Sequence, residues 1–203
     1  MSENKPIRVG LIGYGFAGKT FHAPLIAAVP DLVLTAIASS RPEAVLADFP
    51  AIRVFSTPED LAMSDEVDLV VIASPNDSHA SLARTALKAG KAVVVDKPFT
   101  LSLDDARDLV ALATAESRLL SVFHNRRYDT DFLGVKAAIE SGAVGRVVHF
   151  ETHFDRFRPV VRDRWRERAV PGGGLWFDLG PHLVDQTLQI LGLPQTVTAT
   201  IAT

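Results

Sequence analysis

The sequence predicts an α/β protein: a doubly wound parallel sheet followed by the beginning of an α+β domain. Three observations carry this. Short apolar runs recur at 7–12, 32–38, 67–73, 92–95 and 119–123, several of them continuous, as in strands covered on both faces. Helical patterns fill the intervals, which implies right-handed crossovers between parallel strands. After Gly145 the character changes to a longer strand over 147–155, an arginine-rich stretch, a glycine turn, a helix over 181–191 and a last strand over 196–203.

The helices carry their own punctuation. Ser102 stands as N-cap before a helix ending near Glu116, with Asp105 three residues on as a variant capping box. Leu103, Ala106, Val110 and Ala113 share one face of it, with Leu109 and Leu112 beside them. Asp77 is the expected cap of a helix over 78–89, which has Lys88 in its last turn and Gly90 just beyond. A helix over 131–141 ends in the same way at Gly142.

Composition narrows the function classes. With 203 residues, 47% hydrophobic and 22% charged, the chain is neither disordered nor membrane-spanning. The absence of cysteine excludes a disulfide scaffold, thiolate zinc sites and a cysteine nucleophile. A formal charge of −3 argues against nucleic acid or an anionic membrane as partner. Residues 1–6 lead into the first strand with no apolar signal core, so a cytoplasmic protein is expected. No histidine–carboxylate spacing makes a convincing metal site.

Gly13-Tyr14-Gly15-Phe16-Ala17-Gly18 follows the first strand and opens a helix. The first glycine permits a tight turn, the second lets backbone N–H groups approach a pyrophosphate, and the third allows close helix–strand packing. A Rossmann-type dinucleotide-binding domain is therefore expected over 1–125, with a partial substrate domain over 126–203. An NAD-binding domain places an acid after its second strand to accept from the ribose 2′-hydroxyl. Here that stretch is Ser39-Ser40-Arg41, which suits a 2′-phosphate. NADP is the expected cofactor, with NAD as the alternative.

Polar clusters follow several strands at the edge where open α/β sheets bind ligands: Ser74-Pro75-Asn76, Asp96-Lys97-Pro98 and His124-Asn125-Arg126-Arg127. His79, just past the first of these, and Asn125 are counted among the expected cofactor-binding residues. Lys97 is held between a buried strand and a proline, as befits a placed donor or acid–base group. In the segment from Gly172 to His182, Pro181 suits a first helical position, which would put His182 in the first turn. There the helix dipole would favour a neutral imidazole able to accept a hydroxyl proton. Asp178, four residues earlier, is placed to orient it or to reach Lys97. Residues 155–168 hold six arginines and three acids, which reads as a paired, solvated segment or as a loop over cofactor and substrate.

These motifs together resemble the Gfo/Idh/MocA family of NAD(P)-dependent oxidoreductases. The resemblance rests on the glycine fingerprint, on Asp96-Lys97-Pro98 in place of the commoner Glu-Lys-Pro, on Arg126-Arg127-Tyr128-Asp129, and on Gly172-Gly173-Gly174 with Asp178 and His182. The stretches 19–24 and 154–159 look most like the bacterial NADP-dependent scyllo-inositol dehydrogenase branch. It implies a catalytic set of Lys97, Asp178 and His182, a cis Lys97–Pro98 peptide, and Trp165 and Arg166 near the cofactor.

The leading expectation is hydride transfer between NADP and a secondary alcohol of a sugar or cyclitol. An NAD-dependent glycosidase and a non-catalytic dinucleotide sensor are the alternatives, the second disfavoured because a sensor needs none of Lys97, Asp178 and His182. Members of the family continue for many more residues into a broad sheet that often forms the subunit interface. The chain is thus expected to be a fragment that self-associates through its exposed strands, from a homo-oligomeric protein.

Overall fold

The computed structural model describes residues 5–155, 157, 159–160, 163, 167–168 and 170–200. The chain divides into two compact units, the first ending at Phe123 and the second beginning at His124.

In the first unit, β1 (Ile7–Ile12), β2 (Leu32–Ala38), β3 (Arg53–Phe55), β4 (Leu69–Ile72), β5 (Ala92–Asp96) and β6 (Leu120–Phe123) form one parallel sheet. Their order is β3-β2-β1-β4-β5-β6, so the direction of winding reverses between β1 and β4. In such sheets the crevice at that reversal is the ligand site. The short β3 escaped the sequence pattern because three residues are too few to show a period.

Alternation along the strands divides the core. Val9 and Leu11 face Ile37, Val71, Ala23, Ile26 and Val45, whereas Ile12 faces Ala36, Ala38, Val70, Ile72 and the apolar sides of the helices on the other surface. Gly10 shares that second surface, where a Cβ would stand 2.6 Å from Leu61 Cδ2. The covering helices are α1 (Ala23–Ala28), α2 (Pro42–Asp48), α3 (Pro58–Met63), α4 (His79–Lys88) and α5 (Leu103–Ala115). A π-helical turn, Gly18–His22, leads into α1. Pro24 explains it: proline lacks the N–H for an α-type rung and its ring crowds the preceding carbonyls, so the helix widens there.

Two helical expectations need correction. Ser102 does cap α5, accepting the Asp105 N–H at 3.0 Å, and its own hydroxyl donates to the Asp105 carboxylate. The buried face of α5, however, is Leu109 and Ala113, with Leu103 63% and Val110 56% exposed. Apolar residues wrap more than half of this helix, and periodicity alone could not choose between two overlapping stripes. Asp77 does not cap α4. A short 3-10 turn, Asn76–Ser78, precedes that helix, which begins with no side-chain cap.

In the second unit a 3-10 turn, Asn125–Tyr128, leads into α6 (Thr130–Glu140), and α7 (Leu175–Leu191) follows later. The last of these starts six residues before the expected position. Gly174, with φ +87°, closes the glycine turn, and the Asp178 N–H bonds back to the Gly174 carbonyl at 3.2 Å. Pro181 lies inside α7, where its missing N–H costs one rung of the helix. The strands expected at 147–155 and 196–203 are not formed among the described residues, and 201–203 lie outside them. Alternating polarity makes a strand only where a ladder partner exists, and the described residues supply none.

Leu11 is fully buried. Leu11→Ala should lower the unfolding free energy by about 2–5 kcal/mol, read as a shift in urea midpoint without a change in slope.

Candidate functional site

The glycine turn lies at the winding reversal. Gly13 has φ +95°, and a Cβ on it would stand 2.7 Å from the Ala73 carbonyl oxygen at the end of β4. A Cβ on Gly18 would run into the Gly13 carbonyl oxygen, so the third glycine lets the helix sit tightly on the strand. Around Gly15 no protein atom comes within 4 Å of the Cβ position. That open cradle is what a pyrophosphate approaching the backbone would fill, so the residues present fit a dinucleotide. Phe16 and Ala17 begin the helix, and Phe16 is 73% exposed with its ring edge-on to Phe21 at 5.6 Å.

The turn after β2 stands beside this loop. Gly13 donates to the Ala38 carbonyl at 2.9 Å, Ser39 Oγ accepts the Arg41 N–H at 3.1 Å, and the Arg41 guanidinium lies 3.5 Å from the Tyr14 carbonyl oxygen. No acid occupies residues 39–41, while Ser40 and Arg41 are exposed. Tyr14 is anchored from below, its hydroxyl donating to Asp48 at 2.7 Å, with Lys19 2.6 Å from the same carboxylate oxygen. Burial and the Asp48 carboxylate together push the Tyr14 phenol up to about 12.

The turns after β4 and β5 are joined through His79. Its Nδ1 lies 2.8 Å from the Pro98 carbonyl and its Nε2 3.0 Å from the Ser74 carbonyl, and the ring is 1% exposed. His79, expected as a cofactor contact, thus bridges the turns that bear Ser74-Pro75-Asn76 and Lys97. Ser74 and Ser78 hydroxyls meet at 2.6 Å, and Asn76 is buried. The Lys97–Pro98 peptide bond is cis. Asp96 Oδ1 accepts the Lys97 N–H at 2.8 Å, and Asp96 Oδ2 is 3.6 Å from His22 Nε2. Burial would push the Asp96 carboxyl up, but the His22 imidazole and the Lys97 N–H outweigh it and hold it below the ordinary carboxylate range.

In the second unit, Asp178, His182, Asp185 and Gln186 recur at positions i, i+4, i+7 and i+8, so α7 presents them on one face. His182 is buried, with its ring 6.4 Å from that of Phe154. It falls in the second turn of α7, beyond the exposed N–H groups of the first, so the effect of the helix N-terminus expected at His182 applies to Asp178 in the first turn instead. Sequence reasoning passed over Asp185 altogether. This buried carboxylate takes two hydrogen bonds from Arg127, at 2.7 and 2.6 Å, and Gln186 donates to the Arg126 carbonyl at 2.9 Å. The pairs join the Asn125–Tyr128 turn to α7. Only the i+7 spacing from Asp178 could have flagged Asp185. Burial holds the His124 imidazole below its ordinary value, with Asp185 opposing and Arg127 adding to the effect. Arg126 stacks over the Phe154 ring at 4.8 Å.

Trp165 and Arg166 lie outside the described residues, as do Arg156 and Arg158. Where the arginine-rich segment is described, Arg168 and Asp163 pair at 2.7 Å on the surface. Among the described residues no group of three metal-ligating side chains comes together, and no helix is long and apolar enough to cross a membrane.

Comparison with known proteins places this architecture. The family model described as "Oxidoreductase family, NAD-binding Rossmann fold" matches residues 7–124, and that of the GFO/IDH/MocA C-terminal domain matches 132–203. The chain belongs to the Gfo/Idh/MocA oxidoreductases. It is 56% identical over 202 residues to the oxidoreductase YdgJ of Escherichia coli K12, whose activity is uncharacterised, covering 100% of this chain and 58% of that one. It is 37% identical over 195 residues to the scyllo-inositol 2-dehydrogenase (NADP(+)) IolW of Bacillus subtilis 168, covering 96% and 54%. A crystal structure from Klebsiella pneumoniae superimposes with a TM-score of 0.89 at 61% identity, covering 97% of this chain and 55% of the other. The chain thus spans rather more than half the length of these relatives.

Asp185→Asn should destabilise the second unit by about 1.5–3 kcal/mol, since the Arg127 guanidinium loses its buried, charged acceptor. Both tryptophans, Trp165 and Trp176, belong to that unit, so fluorescence during urea unfolding reads it. Asp96→Asn should behave differently with pH. A carboxyl held low contributes stability that is present above its unfolded value and lost as pH falls through the folded one. The gap in urea midpoint between the native chain and the variant should therefore close as pH drops below about 4.

Proposed function

We propose that the chain is the dinucleotide-binding and catalytic part of an NADP-dependent dehydrogenase acting on a secondary alcohol of a sugar or cyclitol. The observation that carries this reading is the sheet edge of the first unit. The open cradle at Gly15, the acid-free Ser39–Arg41 turn and Lys97 all stand at the carboxyl edge of one sheet, after β1, β2 and β5. The name of the Bacillus subtilis relative, a scyllo-inositol 2-dehydrogenase using NADP(+), supports both the cofactor and the substrate class.

Residues 13–18, Ser74-Pro75-Asn76 and Asn125 would hold a nicotinamide dinucleotide, which would supply the hydride acceptor. Ser39, Ser40 and Arg41 take the 2′-phosphate, where an acid would repel it. Lys97 donates to the substrate oxygen and stabilises the negative charge that develops there. His182 accepts the hydroxyl proton as the carbon is oxidised, and Asp178, one turn before it on α7, orients the imidazole. In the reverse direction the same imidazole returns the proton. The protein would form a homo-oligomer through the sheet of its C-terminal domain.

Absorbance of reduced cofactor should rise when the full-length protein is given NADP with a panel of inositols and aldoses. No turnover by an intact, folded protein across that panel would refute the substrate class. Arg41→Ala should weaken NADP by about 1–3 kcal/mol and NAD far less. Equal losses would remove Arg41 from the 2′-phosphate site. Lys97→Ala and His182→Ala should each lower kcat by roughly 100-fold or more with little change in NADP affinity.

A further inference from the structure

The turn that presents Lys97 is braced by a buried pair that the proposed reaction does not consume. Pro24 forces the π-helical turn at Gly18–His22, and His22 closes that turn with only 4% of its surface exposed. Its ring lies 4.3 Å from that of Phe123 at the end of β6. Nε2 is buried, makes no hydrogen bond, and faces Asp96 Oδ2 at 3.6 Å. Packing alone does not require an imidazole there, because an apolar residue would fill the same space. The other oxygen of that carboxylate holds the Lys97 N–H at 2.8 Å. On its far side the same turn is pinned by His79 through the Pro98 carbonyl.

We propose that His22 is a positioning residue for Lys97: it fixes the Asp96 carboxylate, and the carboxylate fixes the Lys97 peptide and with it the ammonium. The inference rests on the catalytic reading of Lys97. Geometry supplies the chain of contacts, His22 to Asp96 Oδ2 and Asp96 Oδ1 to Lys97 N. Chemistry supplies the reason for a histidine: a carboxylate buried at the end of a central strand needs a polar partner, and a misplaced donor of even 1 Å lowers turnover steeply.

His22→Leu removes the partner, whereas His22→Gln keeps an N–H near the Nε2 position. In the full-length protein, His22→Leu should lower kcat by roughly tenfold to a hundredfold with KM for NADP little changed, and His22→Gln should recover most of the loss. Carbon-13 NMR of the chain should show the Asp96 carboxyl titrating higher in His22→Leu, and shifted the same way by a smaller amount in His22→Gln. Should His22→Leu not fold, the His22→Gln titration decides. An Asp96 carboxyl that titrates as in the native chain in every folded variant would overturn the proposal. So would full kcat in His22→Leu while Lys97→Ala is inactive. Full kcat in Lys97→Ala would instead overturn the catalytic reading of Lys97, and the Asp96 shift would then report the pair alone.

Discussion

Gly13 is the point on which the first unit turns. β1 must pass its chain to a helix within van der Waals reach of the end of β4, and the backbone does so at φ +95° with a carbonyl 2.7 Å from where a Cβ would be. Only glycine combines that conformation with that proximity. The consequence is a crevice at the winding reversal whose walls are backbone rather than side chain. The tight seat of Gly18 on the Gly13 carbonyl draws the helix onto the sheet, and the space at Gly15 is left open by the same turn. Tyr14, between the two, is tied to Asp48 beneath the loop, so the cradle is supported by a hydrogen bond from outside the motif.

Around that crevice the structure repeatedly uses a buried polar side chain to hold a loop that bears the chemistry. His79 spans the turns after β4 and β5, and His22 with Asp96 underlies Lys97. In the second unit Asp185 with Arg127 ties the Asn125–Tyr128 turn to α7. Polar groups at such depth are expensive unless partnered; His79 and Asp96 bond backbone groups at strand ends, and Asp185 holds a guanidinium. In the first unit the residues proposed to touch cofactor or substrate are therefore carried on turns whose geometry is set by groups one step further in.

Much of this was legible from residues alone, and the failures have physical causes. The strands, the glycine turn and the place of Lys97 at the end of β5 follow from short-range signals: continuous apolar runs, a motif with a steric reason, and a proline. The Asp185–Arg127 pair was invisible because it joins residues 58 apart, and the role of His79 because carbonyl acceptors leave no mark in a sequence. The early start of α7 was missed because Pro181 was read as a helix opener, whereas the positive φ of Gly174 sets the boundary. The outward Leu103 and Val110 of α5 show that an apolar surface wider than one stripe does not tell which side faces the sheet. The longer strand expected over 147–155 has no ladder neighbour among the described residues.

The central claim is that the acid-free turn at Ser39–Arg41, beside the open cradle at Gly15, selects a dinucleotide bearing a 2′-phosphate. Titrating the chain with NADPH and with NADH, following nicotinamide fluorescence, tests it most directly. The account expects NADPH to bind roughly tenfold tighter or more, the worth of one charge-assisted hydrogen bond. Equal affinities, or tighter binding of NADH, would contradict it.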